Sequence, residues 1–329
     1  MCEEARMRVI RIVILCSLQL GLSEIALGQA AQPFHTRNLN PPLAIFGLPT
    51  WETATDTPVF TIQSAVANHY RFSRRDNDTL LLDGETLRIG IFFSQPLGER
   101  WSLSAALPLI RQSGGFLDDA VDAWHSAFNM PDGARNQRPE DVLMFRMANA
   151  AGTFFSLDDD ERGLGDLQIG FARRLGTDGR FVARTEIKIP TGDEDMLAGS
   201  GAVDWSATIL SNRDGSIGKH AAGYYWGAGF VLLGQPEVVA FTANDYAVTG
   251  VLGGGIKIFP RIGIRGQLDF LSAAYDTELE ELGQHAVQAT IGGWWEINGR
   301  SRLEFGVDED IHVSTAPDVV LHLTLRWSW

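Results

Sequence analysis

The chain has 329 residues, with 27 Lys and Arg against 41 Asp and Glu and a formal net charge of −14, which excludes the basic footprint of a nucleic-acid-binding surface. Hydrophobic residues make up 45% and charged residues 21%, with 35 Gly, and both Cys fall within the first sixteen positions. This excludes a disordered chain, a disulfide framework and a collagen-like chain. Beyond the N-terminus no stretch approaches the roughly 18 to 20 apolar residues of a spanning helix, which leaves a β protein rich in glycine and aromatic residues.

Arg6, Arg8 and Arg11 precede the apolar run Ile12 to Leu22, followed by the small residues of ALGQAAQ. This order reads as a secretory signal peptide over residues 1–28. Its removal leaves an exported chain without cysteine. Residues 29–57, rich in proline (PFHTRNLNPPLAIFGLPTW), read as an extended segment. It either lies under the following domain, on the periplasmic side, or enters it as a plug.

From residue 58 to 329 the dominant signal is period-2 alternation, the mark of strands with one apolar and one polar face. Twelve strands are expected, at about 58–72, 85–97, 101–111, 164–175, 180–190, 202–211, 220–233, 247–259, 262–274, 285–298, 301–309 and 319–329. In the last, Val319, Leu321, Leu323, Leu325, Trp327 and Trp329 alternate with His322, Thr324, Arg326 and Ser328. Connections after even-numbered strands read as short (GER, GTDG, NRDGSIGK, Pro260-Arg261, Asn298-Gly299-Arg300). Those after odd-numbered strands read as longer and mostly acidic, including RDND within 75–78. The longest, 112–163, carries Leu117, Val121, Trp124 and Phe128 at the spacing of a short amphipathic helix. Short and long connections alternating around an even strand count are the pattern of a transmembrane antiparallel β-barrel with short periplasmic turns and long extracellular loops. A closed sheet pairs every backbone group in lipid. Trp101, Trp295, Trp327 and Trp329 fall at the short-turn ends of their strands, and Tyr70, Phe72 and Trp205 at the other, as two interfacial girdles would.

On this reading Arg88, Arg184, Glu186, Lys188, Arg265, Asp269, Arg302, Glu304 and Arg326 face inward. They are candidates for a selective pore lining or for a salt-bridge network that fills the bore. Twelve strands fall between packed eight-stranded barrels and open porins of 16 to 18 strands. No metalloprotease, nucleophile-elbow, Walker or dinucleotide motif is present, and no cofactor is expected. A serine such as Ser272 or Ser314 beside His69, His285, His312 or His322 is the remaining route to a membrane-embedded lipid hydrolase. The acidic runs at 158–161, 193–195 and 308–310 offer carboxylates for Ca²⁺ but lack EF-hand spacing.

The stretches RNLNPPLAIFGLP, LRIGIFFSQPLGERWSLSAALPLIRQSGGFLDDAVDAWHSAF, GLGDLQIGF and KIPTGDEDMLAGSGAVDW resemble an uncharacterised proteobacterial domain-of-unknown-function family placed among outer-membrane β-barrels. GLGD and K-x-PTGD…GSG are also similar to barrels of the meta-pathway of phenol degradation, presumed transporters. The resemblance spans essentially the mature chain and carries no catalytic residues. It implies an outer-membrane location, lipid and lipopolysaccharide as neighbours, and a passive channel for a small solute. A structural or assembly role and a hydrolase stay open. The terminal Leu325, Trp327 and Trp329 are similar to the aromatic signal that such barrels present to the barrel-assembly machinery.

Overall fold

The computed structural model describes residues 30, 32–118, 141–152, 154–176, 179–311, 315–317 and 319–329. The signal-peptide segment 1–28 and the helical-spacing residues Val121, Trp124 and Phe128 lie outside them.

Fifteen antiparallel strands form one sheet: β1 (Val59–Arg75), β2 (Asp78–Leu97), β3 (Trp101–Ser113), β4 (Met144–Ala148), β5 (Phe154–Leu157), β6 (Glu161–Leu164), β7 (Leu167–Leu175), β8 (Phe181–Ile189), β9 (Asp204–Ile217), β10 (His220–Leu232), β11 (Tyr246–Phe259), β12 (Ile262–Leu271), β13 (Ala286–Glu296), β14 (Ser301–Asp310) and β15 (Val319–Ser328). Twelve of them close a ring in the order β1-β2-β3-β7 and then consecutively to β15, which returns to β1. The seam runs from Val59 opposite Ser328 to Asn68 opposite Val319. The other three flank the ring at one end. β4 and β5 form a hairpin against the distal half of β2, and β6 pairs with the distal part of β3.

Two expectations are corrected here. The RDND stretch is not a long connection. β1 and β2 continue to a two-residue turn at 76–77, where Asp76 takes φ +47°, a left-handed conformation that Asp tolerates. Likewise, NRDGSIGK belongs mostly to β9, which runs to Ile217 before a turn at 218–219. In both cases the strands run through polar residues that carry no alternation, and in β2 the three consecutive buried leucines Leu80, Leu81 and Leu82 break the period as well. The 112–163 connection contributes β4, β5 and β6, which were not expected as strands. Their short lengths gave too few alternations to read.

Burial is inverted relative to a soluble protein. Arg302 is 0% exposed and Ile291 75%. Along β15, Leu321, Leu323, Leu325 and Trp327 point out, while His322, Thr324, Arg326 and Ser328 are buried. Outward Trp101, Phe171, Trp295, Trp327 and Trp329 ring the short-turn end, and Phe72, Trp205 and Tyr246 are exposed toward the other. Among the described residues no helix is long and apolar enough to cross a membrane; a closed sheet pairs its own backbone groups, the condition under which lipid admits strands.

At the end opposite the short turns the interior becomes apolar. Leu80 and Leu82 of β2, Phe145, Met147 and Phe155 of the β4–β5 hairpin, and Phe241, Tyr275, Leu279 and Leu282 of the loops form one buried cluster. A four-residue helix, α1 (Pro41–Ala44), inserts Leu43 into it, with Ile45, Phe46 and Leu48 following.

Candidate functional site: a filled lumen

The site is the bore, and its main occupant is the segment between residues 32 and 57. Its course can be followed by its partners. Gln32 meets Arg302 near the short-turn end (Nη1 to Oε1, 3.1 Å). The Phe34 amide donates to Gln267 Oε1 (2.8 Å), and Thr36 Oγ1 donates to Asp269 (2.7 Å). Asn38 reaches the Thr315 carbonyl at the loop end (2.9 Å). There α1 crosses the bore, with Tyr275 donating to the Pro42 carbonyl (2.6 Å). The chain then descends the opposite wall. Lys188 Nζ donates to the Ile45 carbonyl (3.0 Å), the Gly47 amide donates to Asp204 (2.6 Å) and the Thr50 amide to Glu186 (2.8 Å). Arg174 holds the Ala54 carbonyl (2.8 Å) at the mouth. The segment is thus a loop folded into the barrel, with both ends at the short-turn mouth.

Sequence dictates this path through polarity. The segment has few residues able to form regular structure, and its proline-rich tip starts α1 with Pro41, whose missing N–H costs nothing in a first turn. Its backbone donors must therefore be satisfied by side chains, and the inward wall supplies them. Close approach also matters. A Cβ on Gly227 would lie 2.6 Å from the Trp51 ring, so glycine at that wall position lets Trp51 seat against Leu210, Tyr225 and Val251.

All nine inward candidates lie inside the barrel, and eight are buried. Asp269 is intermediate. Arg184 pairs with Glu186 (3.3 Å) and with Glu52 of the segment (3.4 Å), and Glu52 also meets Arg326 (3.6 Å). Lys188 sits between Asp166 (2.8 Å) and Asp204 (3.0 Å) and also donates to Ser200. Arg265 pairs with Glu304 (3.4 Å), which lies 3.8 Å from Arg302, and Arg302 reaches Glu296 (3.5 Å). Arg265 also stacks over Phe34 of the segment (4.5 Å) and Trp294 (5.0 Å). Arg88 lies over Phe92 (5.9 Å), whose ring meets His35. Asp269 accepts from Thr36 and Gln267. Outside the bore, Leu325, Trp327 and Trp329 are exposed, and Trp329 stacks on Phe93.

Reading the sequence missed Glu52, Asp166 and Asp204, and the pairing of His322 with Asp308 (3.1 Å). Asp166 and Asp204 stood in the quoted GLGD and GAVDW stretches. Their role is now physical. Asp166 Oδ1 accepts the amides of Thr191 (3.0 Å) and Gly192 (2.8 Å), and Oδ2 accepts that of Ser200 (3.2 Å). The PTG and GSG pieces wrap one buried carboxylate. Gly192 is required by close approach, since a Cβ there would lie 2.8 Å from the Gly165 carbonyl carbon. The serine and histidines raised as a hydrolytic pair have other partners. Ser272 Oγ accepts the Val248 amide, His69 bonds Thr86, and His285 packs on Phe270. Ser314 and His312 lie outside the described residues. Asp160 and Asp158 of the acidic loops pair with Arg111 and Arg146. Among the described residues no group of His, Cys, Asp and Glu is arranged to hold a metal.

His35, on the segment, has no hydrogen-bond partner at either ring nitrogen. Its ring lies edge-on to that of Phe92 (5.1 Å between centroids), and its carbonyl accepts from Gln63 (2.5 Å).

A family profile described as a protein of unknown function, DUF3187, matches residues 9–329. The chain belongs to this family. No curated protein matches the sequence. Among solved structures, the COG4313 outer membrane channel from Pseudomonas putida F1 is 12% identical with a TM-score of 0.50, covering 87% of this chain and 98% of its own. That likeness shows a shared barrel fold. The Ralstonia pickettii toluene transporter TbuX is 8% identical with a TM-score of 0.36, covering 94% and 98% of the two chains. The P. putida toluene transporter TodX is 11% identical with a TM-score of 0.37, covering 84% and 91%.

Proposed function

We propose that the protein is an outer-membrane channel for a small solute whose bore is held closed by its own N-terminal segment. The observation that carries this reading is the identity of the filler. The wall is a complete twelve-strand ring without the segment, and the segment crosses the bore as a separate strip attached through side chains. An eight-stranded barrel fills itself with wall side chains, whereas wider rings leave space to be plugged. Removing the strip would leave a bore lined by Arg184, Glu186, Lys188, Arg265, Asp269, Arg302, Glu304 and Arg326, with Arg88 beside them. Such a bore suits a polar or charged solute. The apolar belt with its aromatic rims supports a membrane setting, the fold shared with a known outer membrane channel supports the outer membrane, and the basic-apolar-small N-terminus supports export by a signal peptide. Lipid and lipopolysaccharide would then meet the outer wall.

Reconstitution into liposomes tests the reading. Full-length protein should give low solute flux, and flux should rise when Glu52→Gln loosens the segment from Arg184 and Arg326. A folded barrel with no flux in either state would overturn the channel reading in favour of a structural role.

The C-terminal aromatic is proposed as an assembly signal. Trp329 closes the seam through its amide, which donates to the Pro58 carbonyl (3.3 Å), and its ring stacks on Phe93 and packs at a tilt against Trp327. Deleting Trp329 should lower the inserted, heat-modifiable fraction several-fold while export continues. Unchanged insertion would remove that role.

A further inference from the structure

On the outer wall of β9–β13 lies an apolar groove of about 760 Å³ near the short-turn end, within the roughly 300–1,000 Å³ of small-molecule sites. Its origin is visible in the strand register. Arg213, Tyr224, Gly254, Gly266 and Ile291 fall in one row across five neighbouring strands, all outward. The two glycines leave bare backbone between Tyr224 and Ile291, side chains three strand spacings apart, or about 14 Å. A Cβ on Gly266 would meet nothing nearer than the Thr290 carbonyl oxygen at 4.0 Å. Ile256 and Ile264, in the next outward row, close the groove toward the short turns.

At one lip stands Arg213, exposed, in the only outward position of β9–β13 that holds an arginine, lysine, aspartate or glutamate. A guanidinium on the lipid face is costly, most at mid-depth and less near the interface. An anionic partner offsets that cost, since Arg binds phosphate in bidentate fashion. Asp214, the next residue, points to the other side of the strand.

We propose that this groove is a specific phospholipid site, with one acyl chain lying over Gly254 and Gly266 and the phosphate on Arg213. The belt faces lipid, so an acyl chain is what meets the groove, and the single charge at its lip selects an anionic headgroup atom. The site depends on the outer wall facing lipid and is independent of whether the bore conducts.

The test uses full-length protein in vesicles of phosphatidylethanolamine and phosphatidylglycerol doped with a phospholipid bearing a diazirine on one acyl chain. Irradiation and peptide mass spectrometry should show labelling of β10–β13 enriched several-fold over β2, β3 and β7. Gly266→Trp, which fills the groove from an open outward position, should abolish the enrichment, and Arg213→Gln should reduce it, with heat-modifiable mobility unchanged in both. Even labelling around the belt, or enrichment that survives Gly266→Trp, overturns the site. Enrichment unaffected by Arg213→Gln overturns the phosphate assignment, and with it the proposal of a phospholipid.

Discussion

Removal of residues 33–57 should convert a barrel with little or no conductance into one that conducts. The wall keeps its complete ladder of backbone bonds without the segment, so the ring is expected to assemble. What is lost is the strip of chain that crosses the bore twice, together with Glu52, the carboxylate shared by Arg184 and Arg326. The bore then fills with water, and single-channel conductance in planar bilayers should rise by about tenfold or more, as an unplugged lumen of intermediate width implies. With two arginines freed of a shared counter-charge, selectivity should move toward anions. Glu52→Gln is the milder form, retaining the segment while weakening its hold, and should give more frequent openings of the same kind. Equal conductance for the full chain, the deletion and Glu52→Gln would show that the segment does not close the pathway.

Lys188→Met should be the most destabilising single change in the wall. Lys188 is buried between two buried carboxylates, Asp166 and Asp204. Removing one partner of a buried ion pair leaves uncompensated charge and costs about 3–5 kcal/mol, and here two carboxylates share the one cation. Asp166 also holds the Thr191–Ser200 loop, and Asp204 accepts amides from Gly47 of the segment and from Gly234 (2.7 Å). The damage should therefore spread to the loop and to segment docking. The temperature of the heat-modifiable mobility shift should fall markedly, and Asp204→Asn in the same chain should restore part of it by removing one buried charge. A melting temperature unchanged by Lys188→Met would mean that water reaches this cluster and solvates it.

The wall was legible in the sequence, and for a physical reason. An apolar outer face and a polar inner face impose a strict alternation on the wall strands, so β15, β12 and β8 announce themselves residue by residue. The same alternation placed Arg184, Glu186 and Lys188 inward. It gave no hint of where β1 and β2 end, because the alternation stops there: residues 73–79 are polar in succession and Leu80, Leu81 and Leu82 are all buried. It was silent on β4 to β6, which are too short for a period to register. The site was half legible. The wall charges could be found from periodicity, but their partners could not. Glu52 lies in an irregular segment with no period, and Asp166 and Asp204 sit at strand ends where alternation stops. Pairing across the bore depends on which residues face each other through space, and only the closed ring brings Glu52 of the segment to Arg184 and Arg326.

The position of the filler in the chain bears on how the molecule is put together. The segment directly precedes β1, and the ring seals only when β15, the last of its twelve strands in chain order, meets β1. The filler is therefore present before there is an interior to occupy. Because it enters and leaves by the same mouth, it can be inserted tip first, as a fold of thread pushed into a thimble, with no free end drawn through and no knot to untie. On the proposed reading, the same topology would let the tip retreat and return while the seam stays zipped.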